Sequence, residues 1–470
     1  MGAHFGMIGL GTMGRNFLLN IAEHGISGVG YDLDAAKRQL LLEEGKGMQL
    51  DVGNDLADFL AKLETPRNIM MLVPAGPIVD KVIADLVTNL APNDLIIDGG
   101  NSHFTDTERR IAELDAKSVG FMGIGVSGGE EGARHGASIM PGGKREFYNR
   151  IETTLQAVSA KVNGEPCVAY MGPCSAGHFV KMVHNGIEYG LMQIISETYD
   201  YMRRVLKMDS GEIADTFAKW NTGELNSFLI EITATVLRKM DPETGRSLVD
   251  EILDTAGQKG TGKWTSQAAM DFGVPVPTID SAVSMRQISS RKDLRRALAA
   301  RFEIDLTQHH TTVGEEDLHN ALSCAFIITY AQGMSLLQAA SKEKEFALNL
   351  ADVSKIWRGG CIIRSALLEE MRNAYSNNPE LESLLEDKAF VEVLSGHSIS
   401  LRKMVSACNG HGIPAMCFAS ALNYFDSFRT ERLPANLIQA QRDFFGAHTY
   451  QRTDKEGTFH TADWEVAENE

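Results

Sequence analysis

Short apolar runs alternate with stretches of helical period from the N-terminus to about Gly177. His4–Leu10, Gly28–Tyr31, Asn68–Val73, Leu95–Asp98 and Gly120–Gly125 are largely apolar and of strand length, the pattern of strands covered on both faces. Between them, Met13–His24 and Ile78–Leu90 carry apolar residues at helical spacing. The alternation predicts an α/β Rossmann-type domain over residues 1–176, a parallel sheet with helices on both faces. Beyond Gly177 helical periodicity takes over, and residues 177–434 are expected to form a large all-α domain. His184-Asn185 and His319-Asn320 each open a long apolar stretch, a faint sign of a duplicated helical unit. Residues 435–470 change character again. They hold Phe444, Phe445, Tyr450, Phe459 and Trp464 among polar residues, an extended tail expected to dock on the body or on a partner subunit.

At 470 residues the chain exceeds one hydrophobic core. Its 43% hydrophobic and 23% charged residues are those of an ordinary soluble protein. The net charge of -17 argues against nucleic acid, which needs a basic face, but allows a local positive pocket for a small anion. The six cysteines include no C-x-x-C pair, so neither a zinc site nor a redox motif is expected, and no metal is predicted. They read as reduced, buried side chains of a cytoplasmic protein. The N-terminus lacks the features of a signal peptide, and no stretch reaches the ~20 apolar residues of a membrane span.

Gly9-Leu10-Gly11-Thr12-Met13-Gly14 follows the first strand and opens a helix. The first glycine allows the tight turn, the second lets a pyrophosphate approach the backbone, and the third lets helix and strand pack closely. The helix start offers free N–H groups to the phosphates. Asp32, at the end of the second strand, stands where an acid binds the adenosine ribose hydroxyls. A carboxylate there favours NAD. Lys37 and Arg38 leave room for NADP, and Asp34 weakens that alternative.

A second constellation lies in one helix, opened by Ser175 as a possible cap. Lys181, His184, Asn185 and Glu188 fall at i, i+3, i+4 and i+7 and share a face. A solvated stripe is the bland explanation. Gly177, Gly186 and Gly190 weigh against it, since each costs about 1 kcal/mol relative to Ala unless something approaches closely. Partial burial would lower the lysine pKa and raise the glutamate pKa, fitting one as base and the other as acid.

Lys181-Met-Val-His-Asn-Gly-Ile-Glu-Tyr-Gly190 resembles the signature of the 6-phosphogluconate dehydrogenase family. So do Asp98-Gly-Gly-Asn-Ser102, Val126-Ser-Gly-Gly-Glu-Glu-Gly-Ala-Arg134, Gly257-Gln-Lys-Gly-Thr-Gly-Lys-Trp264, Trp357-Arg-Gly-Gly-Cys-Ile-Ile-Arg364 and Leu433–Asp443. The resemblance covers essentially the whole chain. It implies oxidation and decarboxylation of 6-phosphogluconate to ribulose 5-phosphate, a step of the pentose phosphate pathway and of gluconate utilization. Lys181 would be the base at the 3-hydroxyl and Glu188 the acid at C1, with Asn101 and His184 orienting the reacting hydroxyls. Asn185, Ser127, Gly128 and Gly129 would line the substrate, the last three at its carboxylate. Tyr189, Lys259, Thr261 and Arg286 would hold its phosphate. Arg442 and His448 would come from the tail of the other subunit of a homodimer.

The sequence departs from the family where its NADP-using members carry Asn-Arg-Thr. Here stand Asp32-Leu33-Asp34, and Val73-Pro74-Ala75 replaces a segment that usually carries lysine in the middle. Both changes remove positive charge from the cofactor, and NAD is expected to be preferred. Three rival readings are weaker. Gly257-x-x-x-x-Gly262-Lys263 mimics a P-loop, but Trp264 replaces the magnesium-binding hydroxyl and a helical pattern precedes it. The shorter β-hydroxyacid dehydrogenases share the glycine fingerprint and the lysine but lack the basic phosphate set. A non-catalytic NAD-binding protein fits poorly, because Lys181, Asn101 and Glu188 are all present.

Overall fold

The computed structural model describes residues 2–302 and 311–464, and its contacts divide the chain into two compact units, Met1–Ala421 and Leu422–Glu470. In the first unit lie strands β1 Phe5–Ile8, β2 Gly28–Tyr31, β3 Leu50–Val52, β4 Asn68–Met71, β5 Leu95–Asp98, β6 Gly120–Ser127 and β7 Ser138–Gly143. Helices α1 Thr12–Glu23, α2 Ala35–Glu44, α3 Leu56–Ala61, α4 Pro77–Val87, α5 Phe104–Asp115, α6 Gly129–His135 and α7 Arg145–Val158 run between and after them. The sheet order is β3-β2-β1-β4-β5-β6-β7. Side chains alternate between its faces. Met7, Met70, Ile97 and Met122 enter one core, and Ile8, Ile69, Ile96 and Phe121 the other.

One correction to the expected parallel sheet lies at its edge. β7 pairs with β6 antiparallel, from Met122↔Gly143 to Ser127↔Ser138. The connection between them holds only the short α6, and a parallel return needs a longer crossover.

The helical region begins with α8, Ala176–Arg204, which spans 29 residues. Its first turns lie against the sheet at three glycines. A Cβ on Gly125 would stand 2.4 Å from Lys181 Cβ, one on Gly142 2.2 Å from Gly177 N, and one on Gly123 2.6 Å from His178 Nδ1. Ser175 makes no capping bond. Its hydroxyl donates to Glu108 at 3.0 Å instead.

The helix Glu315–Glu343 packs along α8 and also has 29 residues. By length and composition it could cross a membrane, contrary to the expectation that no stretch is apolar enough, but 89% of its most apolar stretch is buried inside the protein. His319-Asn320 lies near its start, whereas His184-Asn185 lies in the third turn of α8, so the two pairs do not both open their helices. Their surroundings nonetheless match. His184 meets Trp357 edge-on at 5.6 Å, and His319 meets Trp220 edge-on at 5.6 Å.

The second unit contains the helix Ala435–Gly446 and a hairpin pairing Tyr450 with Phe459. It has a small centre of its own, besides the docking expected of the tail. Asp443 is 0% exposed and accepts bonds from Thr449 N, Thr461 N, His460 and Trp464 Nε1. Tyr450 packs on Phe459 and Trp464. Phe444 and Phe445 remain exposed.

Candidate active site

The glycine loop joins β1 to α1 beside β4, where the strand order reverses, the usual place for a ligand in such a sheet. Gly9 has φ +90°, and a Cβ there would lie 2.6 Å from Leu72 O. On Gly14 it would lie 1.9 Å from Gly9 O, so helix and loop touch as the fingerprint requires. At Gly11 it would meet nothing within 4 Å, and no side chain caps α1 there. An open second glycine at an uncapped helix start fits a dinucleotide pyrophosphate. Leu10, Thr12 and Met13 complete the loop.

Alongside it opens a cleft of about 700 Å³, lined by Gly9, Asp32, Leu33 and Val73 among others. Asp32 is fixed at its rim. Oδ2 accepts Leu10 N at 2.8 Å and Oδ1 accepts Asp34 N at 3.0 Å. The two cations that left room for NADP are engaged there. Lys37 Nζ is 3.5 Å from Asp32 Oδ2, and Arg38 donates to Asp32 O at 2.5 Å. Asp34 caps α2 through Ala36 N. Pro74 and Ala75 lie in the loop that leads to α4.

Three of the four residues of the polar stripe of α8 are buried rather than solvated, and Glu188 is part-buried. Lys181 is 6% exposed, His184 0% and Asn185 8%. Lys181 Nζ donates to Asn185 Oδ1 at 2.8 Å and lies 3.4 Å from His184 Nδ1. His184 Nδ1 is 3.0 Å from Asn185 Oδ1 and 4.0 Å from Glu188 Oε2, and its Nε2 is 3.3 Å from Ser127 Oγ. Burial lowers the Lys181 pKa below the usual lysine range, with Glu188 pulling the other way. It raises the Glu188 pKa against the opposing charges of Lys181 and Arg286. Burial and the neighbouring Lys181 charge push His184 well below the ordinary histidine range, so its imidazole is neutral. A lysine with a lowered pKa and a glutamate with a raised one thus flank a neutral imidazole.

The three helix glycines have packing reasons. A Cβ on Gly177 would stand 2.3 Å from Met140 O, on Gly186 2.6 Å from Thr265 Cγ2, and on Gly190 2.6 Å from Thr329 Cγ2. Neighbouring chain segments, rather than a ligand, occupy the space.

Ser127 ends β6, and Gly128 and Gly129 have φ +115° and +62°. A Cβ on Gly128 would lie 2.6 Å from Gly360 O, while one on Gly129 would meet nothing within 4 Å. Farther along α8, Arg286 lies 4.5 Å over the Tyr189 ring and donates to Gly257 O at 2.6 Å. Thr261 begins the helix Thr261–Asp271, whose Gly262 abuts the Tyr189 ring. Lys259 is exposed in the preceding loop, and Asn101 is exposed after β5; neither has a hydrogen bond among the described residues. Arg442 and His448 belong to the second unit, where both are exposed. A short helix, Leu248–Glu251, precedes Gly257, not the strand of a P-loop.

Three parts of the first unit were missed in the sequence. Trp357 packs against His184. Cys361 lies near Lys181 and is fully buried, which raises its thiol pKa to about 12. Lys81 lines the cleft with Asp32. The first two lie in the Trp357–Arg364 motif, to which no site role was given, at and just after the end of the helix Leu350–Trp357; the third lies on an outward helix face with no local motif to mark it. All six cysteines are free, five buried and Cys174 part-buried. Among the described residues no group of three or more His, Cys, Asp or Glu is placed to hold a metal.

Comparison with known proteins gives the family. A family model described as the NAD binding domain of 6-phosphogluconate dehydrogenase matches residues 4–172, and one described as the 6-phosphogluconate dehydrogenase C-terminal domain matches residues 177–464. A relative from Bacillus subtilis named "6-phosphogluconate dehydrogenase, NADP(+)-dependent, decarboxylating" is 49% identical, covering 97% of this chain and 98% of its own. The decarboxylating 6-phosphogluconate dehydrogenase 1 of Saccharomyces cerevisiae is 47% identical over 96% of this chain and 93% of its own. A structure of Plasmodium falciparum 6-phosphogluconate dehydrogenase, described in apo form and with NADP+ or 6-phosphogluconate, superposes with TM-score 0.95 at 44% identity, covering 98% of this chain and 100% of that one. With its glycine loop, its buried lysine helix and its full length all matched, the chain belongs to the 6-phosphogluconate dehydrogenase family.

Proposed function

We propose that the chain oxidises and decarboxylates 6-phosphogluconate to ribulose 5-phosphate and carbon dioxide, reducing NAD in preference to NADP. The observation that carries the chemistry is the set of buried Lys181, His184 and Asn185 with part-buried Glu188, lysine and glutamate both shifted towards neutrality. The cofactor, held by the Gly9–Gly14 loop, Asp32 and the Val73–Ala75 segment, supplies the hydride acceptor when bound. Lys181 takes the proton from the 3-hydroxyl as C3 gives up its hydride. The 3-keto acid loses carbon dioxide because its carbonyl accepts the electron pair, and the protonated Lys181 stabilises the oxyanion that forms. Glu188 delivers a proton to C1 of the enediol. His184, Asn101 and Asn185 orient the hydroxyls. Ser127, Gly128 and Gly129 hold the carboxylate, and Tyr189, Lys259, Thr261 and Arg286 the phosphate.

Residues 1–176 serve the cofactor, residues 177–434 the substrate and the subunit contact, and residues 435–470 reach a partner in a cytoplasmic homodimer. The exposed Phe444 and Phe445, beside exposed Arg442 and His448, support such an exchanged tail. Mixing K181M with R442A subunits should then restore part of the activity that each variant lacks.

NAD preference rests on Asp32, whose carboxylate occupies the rim where a 2′-phosphate would add like charge. The Bacillus relative's NADP dependence marks the other possibility. Initial rates of NAD and NADP reduction with 6-phosphogluconate test both claims. Turnover with neither cofactor would remove the substrate assignment, and faster turnover with NADP would remove the preference alone.

A further inference from the structure

The cleft beside the glycine loop has a second wall. One face of α4 presents Ile78, Lys81, Val82 and Asp85, at i, i+3, i+4 and i+7, while Val79, Ile83 and Leu86 on its other side are buried. Opposite stand Asp32 and Leu33. Leu33 is 86% exposed and Ile78 48%, two large apolar side chains left in water on the lining of one cavity. A flat apolar group such as a purine would cover them.

The charges of the cleft are unevenly committed. Lys37 and Arg38 are held at Asp32 and its backbone. Lys81 is exposed, and it has no hydrogen bond or ion pair among the described residues, even though Asp85 follows one turn later. It is therefore the cation lining this cavity that remains free to meet a ligand. A lysine ammonium is a mobile point charge, suited to a phosphate whose position is not fixed by a bidentate fork.

We infer that Lys81 is a specificity-determining residue of the cofactor site. It supplies the positive charge that lets the cleft accept a 2′-phosphate, in opposition to Asp32, which selects the free ribose diol. Leu33 and Ile78 grip the adenine from the two walls. The inference rests on the proposed dinucleotide site and divides its selectivity between two residues on opposite walls.

Calorimetric titration with ADP and with 2′,5′-ADP tests it without turnover. Lys81→Met should weaken 2′,5′-ADP by about tenfold, steepest at low salt, and change ADP by less than about twofold. Lys81→Arg should restore the wild-type ratio. Asp32→Asn should shift the ratio the other way. An unchanged ratio in Lys81→Met, with both ligands still bound, would overturn the role of Lys81 and leave the dinucleotide site standing. Failure of the wild-type protein to bind either ligand would overturn both.

Discussion

Lys181 Nζ donates to Asn185 Oδ1 at 2.8 Å, so the first partner of the buried lysine is an amide one turn along its own helix rather than a carboxylate. An amide oxygen satisfies the nitrogen in either protonation state without holding it charged. This leaves burial free to lower the lysine's pKa.

That lysine should be indispensable to the chemistry but not to cofactor binding. Lys181→Met is expected to lower kcat by about 10²–10⁴-fold. Cofactor affinity, read by fluorescence titration, should be unchanged. Full activity in the variant would remove Lys181 as base.

The pH profile of kcat/KM should be bell-shaped. The active form needs Lys181 deprotonated and Glu188 protonated, so its population rises with pH on the acid side and falls on the alkaline side, and the lowered lysine pKa and raised glutamate pKa bring the two requirements closer together. Glu188→Gln should be slow and should lose the alkaline limb. An alkaline limb unchanged in that variant would show that another group produces it.

Gly177→Ala sets two effects against each other. Alanine is the better helix former, by about 1 kcal/mol in a helix interior and by less in the first turn, where Gly177 lies. The new methyl would stand 2.3 Å from Met140 O and 2.4 Å from Gly123 O, both backbone atoms that cannot turn aside. Overpacking of this kind costs about 1–3 kcal/mol or more, and denaturant unfolding should show net destabilisation. A stabilised variant would mean that helix and sheet can separate there.

Glu197 lies outside the reacting cluster, 2% exposed on α8. Its carboxylate accepts Cys417 N at 3.0 Å and Phe418 N at 3.1 Å, yet burial outweighs these bonds and raises its pKa from 4.5 to about 7. A folded pKa above the unfolded one means that its stabilising contribution is complete below pH 4.5 and is lost as pH rises towards 7. The change is on the order of 3 kcal/mol. Glu197→Gln, which keeps an acceptor and stays neutral, should flatten unfolding free energy between those pH values. An unchanged slope would assign it to other groups.

Much of the site was legible because it is local. The glycine fingerprint spans six positions, and the stripe on α8 needs only the helical repeat to bring Lys181, His184, Asn185 and Glu188 together. The edge strand β7 was not legible, since Ser138-Ile-Met-Pro-Gly-Gly143 carries Pro141 and two glycines, which strands tolerate mainly at edges. Trp357 and Cys361 reach the site only through tertiary folding. The ordered centre of the tail hangs on Asp443, which looks in sequence like any surface acid.

The contacts of Gly123, Gly125 and Gly142 with the first turns of α8 bear on how the enzyme can move. At Gly142 backbone rests on backbone, and at Gly123 and Gly125 the sheet meets the His178 and Lys181 side chains where they leave the helix, which leaves little slack between the two. The distance from Lys181 to the loop that follows β1 is therefore set when the chain folds.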